Sequence, residues 1–205
     1  MLLYPRTWMA VRKANRVGLE TLIDYERLEQ LRIIARRCLS LPGDYIELGS
    51  YRGGSAGVIG LEIRGSGKTL HVCDSFSGMP AEDTRDNFHR AGDFADTDVG
   101  NVTDGLQALD VPFRVHKGFF SNTIKIMQDL RFAFAHIDAD MYQSVKEALN
   151  FVYLRTANGG VIVFDDYGAP TCEGARAAVD EFFARRREKP IQLTKISYYV
   201  RVQPE

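Results

Sequence analysis

Short apolar runs alternate with amphipathic stretches along this chain, and the alternation predicts its elements. The apolar runs cover residues 45–48, 69–73, 113–116, 132–137 and 161–164. The last run is continuous, as expected for a central strand covered on both faces. Between these runs, apolar residues recur every three or four positions, as they do in amphipathic helices. This order of elements predicts an α/β fold with a doubly wound, mostly parallel sheet.

The helical pattern predicts where the connecting helices lie. It covers residues 25–39, 54–64, 101–109, 122–129 and 172–186, and a further helix begins at residue 142 and is closed by Asn158-Gly159-Gly160. Residues 191–202 are β-rich and predict one long or two short final strands. With an N-terminal helical segment over residues 1–40, these elements predict a single domain over residues 1–205.

Residues 77–99 interrupt this pattern with a long acidic stretch. They contain six acidic residues and few branched aliphatic residues. A loop of this length is too long for a simple connector, so we predict a lid or a binding loop. Its charge would disfavour an anionic substrate and favour a neutral or cationic one.

Composition limits the partners that this chain can have. The net charge of −1 provides no overall field for nucleic acid or an anionic membrane. No apolar stretch is long enough to span a bilayer, and the first residues lack the apolar core of a signal peptide. The three cysteines form neither a disulfide framework nor a zinc pattern. We therefore expect a cytoplasmic protein that binds neither nucleic acid nor a membrane.

The nine residues from Glu47 to Ser55 (ELGSYRGGS) join the first predicted strand to the next helix through a glycine turn. Gly49 permits unusual backbone dihedrals, and Gly53 and Gly54 would let the backbone approach a ligand closely. The spacing G-x-x-x-G-G departs from the dinucleotide fingerprint G-x-G-x-x-G. An acid before the first glycine suits a ligand with positive groups and no pyrophosphate, so S-adenosylmethionine (SAM) fits better than NAD.

Acidic residues also follow the other predicted strands, where ligands bind in sheets of this kind. Asp74 ends the second strand, where an acid accepts hydrogen bonds from a ribose diol; the alternative is a turn or capping aspartate. Asp138, Asp165 and Asp166 close the fourth and fifth strands. Since neighbouring strands lie about 5 Å apart, these carboxylates can converge on one hard cation such as Mg²⁺ or Ca²⁺. The alternative is that they cap the following helices.

Two residues near this cluster are candidates for acid–base chemistry. Asp140 lies two positions after Asp138 and could serve as a nearby base, as a weaker metal ligand, or as the N-cap of the next helix. His89, in the acidic loop, is the histidine best placed to meet a substrate. His71 is interpreted as structural, whereas His116 and His136 lie near strand ends and could equally be core residues. The sequence contains no nucleophile elbow and no P-loop.

The glycine motif resembles that of small metal-dependent O-methyltransferases, including catechol O-methyltransferase. Four further stretches narrow the resemblance: TLIDYERL from Thr21, CDSFSGMP from Cys73, IDADMYQS from Ile137, and FDDY from Phe164 with residues 172–182. In this order and spacing, they resemble the macrocin-type sugar O-methyltransferases of natural-product biosynthesis, from about Thr21 to the C-terminus.

The resemblance implies a class I methyltransferase fold that uses SAM and Mg²⁺ to methylate a hydroxyl of a sugar or glycoside. The predicted cofactor-binding residues are Glu47, Gly49, Tyr51, Gly53, Ser55, Asp74, Ser75, Gly118 and Ser121. The predicted metal ligands are Asp138, Asp165 and Asp166, and the predicted catalytic residues are Asp138, Asp140 and His89. A homo-oligomer is also expected.

The sequence departs from the family pattern in two respects. Met141 stands where the catechol enzymes carry a lysine base. The base is therefore open between Asp140, Asp138, His89 and a water molecule. The chain is also short at its N-terminus for this family, where additional elements help to shape the substrate pocket and the dimer.

Three other functions fit parts of the sequence. A catechol or phenolic O-methyltransferase would use the same cofactor and metal, with aromatic pocket residues favouring a phenol and polar ones a sugar. A non-catalytic SAM-binding domain would not need the three aspartates. A NAD-binding module would need a different glycine spacing.

Overall fold

The computed structural model describes residues 3–203. Its α-helices are α1 Pro5–Arg16, α2 Tyr25–Arg37, α3 Gly54–Ile63, α4 Val99–Ala108, α5 Phe120–Thr123, α6 Tyr142–Tyr153 and α7 Glu173–Phe183. Its strands are β1 Asp44–Leu48, β2 Leu70–Asp74, β3 Phe113–Lys117, β4 Phe132–Ile137, β5 Thr156–Phe164, β6 Ile191–Gln192 and β7 Tyr198–Arg201. None of the helices in this part of the chain is long and apolar enough to cross a membrane.

The strands form one seven-stranded sheet in the order β3-β2-β1-β4-β5-β7-β6. Strands β1 to β5 are parallel, and β7 is antiparallel to both β5 and β6. This arrangement confirms the predicted α/β, mostly parallel sheet. Of the two alternatives left open for residues 191–202, the structure has the two short strands. The strand order reverses between β1 and β4, which is the point where open sheets of this type leave a ligand crevice.

Helices cover both faces of the sheet. Apolar residues of α1 to α4 pack on one face, and those of α5 to α7 pack on the other. Strand β5 supplies both layers, because Val161 and Val163 point to the first face and Ile162 and Phe164 to the second. The strictly alternating side chains of a strand explain why this run had to be apolar throughout.

The predicted end of helix α6 was wrong. The helix ends at Tyr153, and Asn158-Gly159-Gly160 belongs to strand β5. Gly159 has a φ of +79° and donates to the Val202 carbonyl at 2.8 Å, while Gly160 accepts from the Val202 amide at 2.9 Å. The glycines therefore form an irregular part of the sheet rather than a stop between elements.

The segment before β4 also differs from the prediction. Instead of one helix over residues 122–129, the chain forms the short helix α5 and a 3₁₀ turn at Ile124–Met127. By contrast, residues 75–98 contain neither helix nor strand, as predicted for the acidic loop.

Candidate cofactor and metal site

A cavity of about 400 Å³ lies at the carboxyl ends of β1, β2, β4 and β5, within the usual size range of small-molecule sites. Its acidic lining residues are Asp74, Asp138, Asp140, Glu147, Asp165 and Asp166. Among the described residues, Arg27 is the one basic residue on its wall. Six acids against one base suit a cationic ligand or a metal ion and disfavour a pyrophosphate.

Gly49 holds the two central strands together at the crevice. Its φ is +91°, and a Cβ atom there would lie 1.7 Å from the Asp138 carbonyl oxygen. Protein occupies the space on the Cβ side of Gly53 and Gly54, and their predicted close approach to a ligand stays a prediction. A Cβ on Gly53 would meet Val102 at 3.0 Å, and one on Gly54 would lie 2.4 Å from the main chain of Glu20.

Asp74 fixes the shape of the glycine turn. Its Oδ2 accepts hydrogen bonds from the Ser50 and Tyr51 amides at 2.8 and 2.9 Å, and its Oδ1 accepts from the Phe76 amide at 2.8 Å. These bonds hold Tyr51 in a left-handed conformation with a φ of 50°. Asp74 and Tyr51 both line the cavity. This position is compatible with the predicted contact between Asp74 and a ribose diol, which stays a prediction.

The other predicted cofactor residues divide into two groups. Ser55, Ser75 and Ser121 line the cavity. Gly118 does not; with a φ of +137° it turns the chain so that Phe119 can reach the wall.

Glu47 lies beneath the cavity and not on its wall, which corrects its predicted contact with a cofactor. The side chain is fully buried, and its Oε1 lies 3.0 Å from His136 Nδ1. Burial disfavours the charged imidazole, but the nearby carboxylates of Asp165 and Glu47 outweigh that cost and raise the pKa of His136 to about 9. The acid before the glycine turn therefore serves an internal ion pair.

Replacing His136 by phenylalanine should lower the free energy of unfolding by about 3 kcal/mol or more, because it leaves the Glu47 carboxylate buried without its partner. Urea denaturation measures this change. The double variant Glu47→Leu/His136→Phe, which removes both members of the pair, should recover part of the loss. If the loss in the double variant equalled the sum of the losses in Glu47→Leu and His136→Phe, the result would contradict the pairing.

Three carboxylates meet at the opposite side of the cavity from Asp74. Oxygens of Asp138, Asp140 and Asp166 lie within 4.8 Å of one another. Burial is the largest cause that raises the pKa of each of the three. Repulsion from neighbouring carboxylates comes next for Asp138 and Asp166, whereas at Asp140 the nearby His89 partly offsets the effect of burial. Asp166 Oδ2 is buried and has no hydrogen-bond partner. An all-oxygen set with an unpartnered buried oxygen fits a hard divalent cation such as Mg²⁺.

Asp165 has different partners from the other aspartates. Its Oδ2 lies 2.5 Å from Arg27 Nη1, and its Oδ1 accepts from Ser197 Oγ at 3.1 Å. The carboxylate also lies 3.7 Å from His136 Nε2. Asp138 belongs to two groups of possible ligand atoms that lie within 4.8 Å of one another, one with Asp140 and Asp166 and one with Asp165 and His136. The role of Asp165 as a metal ligand stays a prediction. Nothing in the sequence had indicated the pairing of Arg27 with Asp165.

The two predicted acid–base residues lie side by side. His89 Nε2 is 3.7 Å from Asp140 Oδ1, and the Cys172 thiol donates to the same oxygen at 3.4 Å. Asp140 has a φ of 53° and lines the cavity, whereas His89 is absent from the cavity wall. Asp140 does not cap α6, whose N-cap is Met141. Burial raises the pKa of the Cys172 thiol, so this thiol is not a reactive nucleophile.

The acidic loop presents little of its charge to the cavity. Its lining residues are Ser75, Gly78, Met79, Pro80 and Phe94. Two of its acids are paired with arginines instead: Asp83 with Arg85 of the same loop, and Asp96 with Arg52. The argument from loop charge to substrate charge was therefore wrong, and the charge of the cavity comes from the strand ends.

Comparison with known proteins identifies the family of this chain. The sequence model of the macrocin O-methyltransferase (TylF) family matches residues 13–200. The chain is 30% identical over 181 residues to mycinamicin III 3''-O-methyltransferase of Micromonospora griseorubida, covering 79% of this chain and 69% of that protein. It is 29% identical over 170 residues to a tetracenomycin-C 4'-O-methyltransferase of Streptomyces olivaceus whose name specifies a dimethoxyrhamnosyl substrate. This alignment covers 76% of the chain and 65% of the relative, just under two thirds of its length.

The solved structure of the O-methyltransferase NovP has the same fold. It superimposes with a TM-score of 0.78 at 25% identity, over 90% of this chain and 82% of that one. This likeness confirms the predicted class I methyltransferase fold.

Proposed function

The chain belongs to the macrocin O-methyltransferase family, and from that premise we propose that it transfers a methyl group from SAM to a sugar hydroxyl of a natural product. The observation that carries the proposal is the acidic cavity that joins the glycine turn to the carboxylates of Asp138, Asp140 and Asp166. The sulfonium and ammonium groups of SAM match this charge, whereas the pyrophosphate of NAD does not.

The proposed cofactor site consists of the glycine turn, Asp74 and Ser75, with Ser121 on the facing wall. Asp74 holds the turn through Oδ2 and lies on the wall where a ribose diol could donate to it. In this proposal Gly49 sets the close approach of β1 and β4, and Tyr51 closes one side of the pocket.

The proposed metal site consists of Asp138 and Asp166, with Asp140 or Asp165 completing the set. When bound, Mg²⁺ supplies Lewis-acid activation of a hydroxyl near neutral pH. Arg27, which pairs with Asp165 and lies 3.8 Å from Asp166, helps to hold the carboxylates in place.

We assign the uptake of the hydroxyl proton to the carboxylate of Asp140. Asp140 lines the cavity, and burial raises its pKa, so it is a stronger base than a free aspartate. His89 lies 3.7 Å away on the loop and orients that carboxylate. Met79 and Phe94 of the loop cover the cavity and exclude water from the transfer.

The lining of the first turns of α6 supports a sugar over a catechol. Gln143, Ser144 and Glu147 face the cavity next to the aspartates and offer hydrogen bonds to several hydroxyls. Four aromatic residues, Tyr51, Phe94, Phe119 and Phe120, also line the cavity. Tyr51 and Phe94 pack against each other with their ring centroids 5.4 Å apart. A cytoplasmic location and a homo-oligomer remain predictions.

Two experiments test this function. Calorimetry should detect binding of SAM and S-adenosylhomocysteine but not of NAD⁺. A methyl-transfer assay on matched panels of deoxysugar glycosides and catechols should then give O-methylated glycosides. Binding of NAD⁺ would overturn the cofactor assignment, methylation of catechols alone would favour the phenolic alternative, and SAM binding without transfer to any acceptor would indicate a non-catalytic domain.

A further inference from the structure

The acidic loop is fastened to the two helices that follow the aspartate-bearing strands. Asn87 Nδ2 donates to the Pro170 carbonyl at 2.9 Å, and the Glu173 amide at the start of α7 donates to Asn87 Oδ1 at 3.4 Å. The Arg85 guanidinium lies 3.2 Å from the centre of the Tyr142 ring at the start of α6. The loop is therefore attached at a defined place over residues 85–89.

Asp86 lies at the centre of this attachment. Its Oδ1 accepts a hydrogen bond from the Tyr142 amide at 2.8 Å, and its Oδ2 accepts from the Asp83 amide at 2.8 Å. Helix α6 has no other side-chain cap, because its N-cap residue Met141 provides none. A carboxylate 56 residues away in the sequence thus satisfies an amide that the helix leaves unpaired.

Gly174 is a second and independent sign that this contact is built into the fold. A Cβ atom at this position of α7 would lie 1.9 Å from Asp86 Oδ1 and 2.9 Å from the Tyr142 nitrogen. Only glycine leaves room for the loop carboxylate between the two helix starts. The loop, α6 and α7 therefore meet at a single point.

The contact determines the position of the residues proposed to react. Four residues, 138–141, separate the end of β4 from the start of α6, and they include Asp138 and Asp140. The β4 end of this segment is held by the Asp138 amide, which donates to the Leu48 carbonyl at 2.9 Å. Its other end is held by Asp86 through the Tyr142 amide.

We propose that Asp86 is a positioning residue, which fixes the segment 138–141 and so aligns Asp138 and Asp140 for metal binding and proton transfer. The inference rests on the proposed function, since it takes these two aspartates to be the reacting site. Asp86 itself is absent from the cavity wall and acts through the helix start.

The variant Asp86→Ala should lower kcat/KM about tenfold and raise the Mg²⁺ concentration that gives half-maximal rate, with little change in the KM for SAM. Hydrogen exchange of the Tyr142 amide should become about tenfold faster in the variant, with or without Mg²⁺. Asp86→Asn should be intermediate, because it keeps one acceptor but turns an amide donor toward the Asp83 N–H.

The second variant, Gly174→Ala, forces the carboxylate away without removing it, and it should reproduce both effects. The double variant Asp86→Ala/Gly174→Ala should be no worse than the more impaired single variant. The control Asp104→Ala removes an exposed acid of α4 and should match the wild type in rate and exchange.

The outcomes separate this inference from the proposed function. If the wild type is active and Asp86→Ala has the same Mg²⁺ dependence and the same Tyr142 exchange rate as the wild type, the role of Asp86 is overturned. A double variant whose fold-loss in kcat/KM equals the product of the two single-variant losses would also overturn it. A wild type without methyl transfer would overturn the proposed function, and the exchange measurement would still decide whether Asp86 holds the helix start.

Discussion

Replacing Asp138 by asparagine should reduce methyl transfer about a hundredfold or more, because the variant loses a charged oxygen of the proposed metal set. Without metal, the same variant should unfold at a higher temperature than the wild type. The substitution removes one of three carboxylates that repel one another within 4.8 Å. Mg²⁺ should raise the unfolding temperature of the wild type and have little effect on the variant.

The two readouts of Asp138→Asn move in opposite directions, which a general loss of structure cannot reproduce. Calorimetry with SAM checks that the cofactor site remains intact. The matched control is Asp129→Asn, an exposed aspartate in the turn before β4, which should leave rate and stability unchanged. Full activity of Asp138→Asn, or a lower unfolding temperature without metal, would contradict the carboxylate cluster as a metal site.

Replacing Gly49 by alanine should have the largest effect on folding, with a loss of about 4 kcal/mol or more in the free energy of unfolding. The added Cβ would lie 1.7 Å from the Asp138 carbonyl oxygen, and the φ of +91° disfavours any side chain. Strands β1 and β4 would have to separate at the crevice. Protein that remains folded should bind SAM much more weakly in calorimetry.

Gly65→Ala is the matched control for Gly49→Ala. Gly65 has a φ of +78° but nothing lies within 4 Å of its would-be Cβ. This variant should lose only about 1 kcal/mol, the cost of the left-handed conformation for a residue other than glycine. Similar losses in both variants would mean that the close approach of the two strands contributes little.

The sequence pattern predicted the sheet because a strand that is covered on both faces is apolar along its whole length. Strand β4 reads FAFAHI, and all six residues are buried, as expected for a strand covered on both faces. The local pattern was misleading at residues 158–160, where two glycines indicated the end of a helix. Gly159 pairs with Val202 near the C-terminus, and no local pattern contains that distant partner.

Ligands bind at the carboxyl ends of the strands in sheets of this kind. This expectation predicted which acidic residues lie near the cavity, but not which residues they contact. Asp138 and Asp166 do meet, since β4 and β5 are neighbours. Asp165 faces Arg27, which is 138 residues away in the sequence, and Glu47 faces His136, which is 89 residues away. Strand alternation places adjacent residues on opposite faces, so Asp165 and Asp166 could not both be assigned from their spacing alone.

The acidic loop illustrates the same limit for charge. Its composition suggested a repulsive surface over the substrate, but its acids are paired within the protein. Asp96 bonds Arg52 and Tyr51, Asp98 caps α4 through the Asn101 amide, and Asp86 caps α6. A charge count cannot tell a carboxylate that caps a helix from one that faces a ligand.

The measurement that tests the central claim most directly is methyl transfer by chelator-treated protein, assayed with SAM and a deoxysugar glycoside before and after Mg²⁺ is added. The product is detected by mass spectrometry as a glycoside that has gained one methyl group. We predict no product without metal and O-methylated glycoside after Mg²⁺ is restored. Transfer that is equally fast without metal, or no transfer to any glycoside under either condition, would contradict the account.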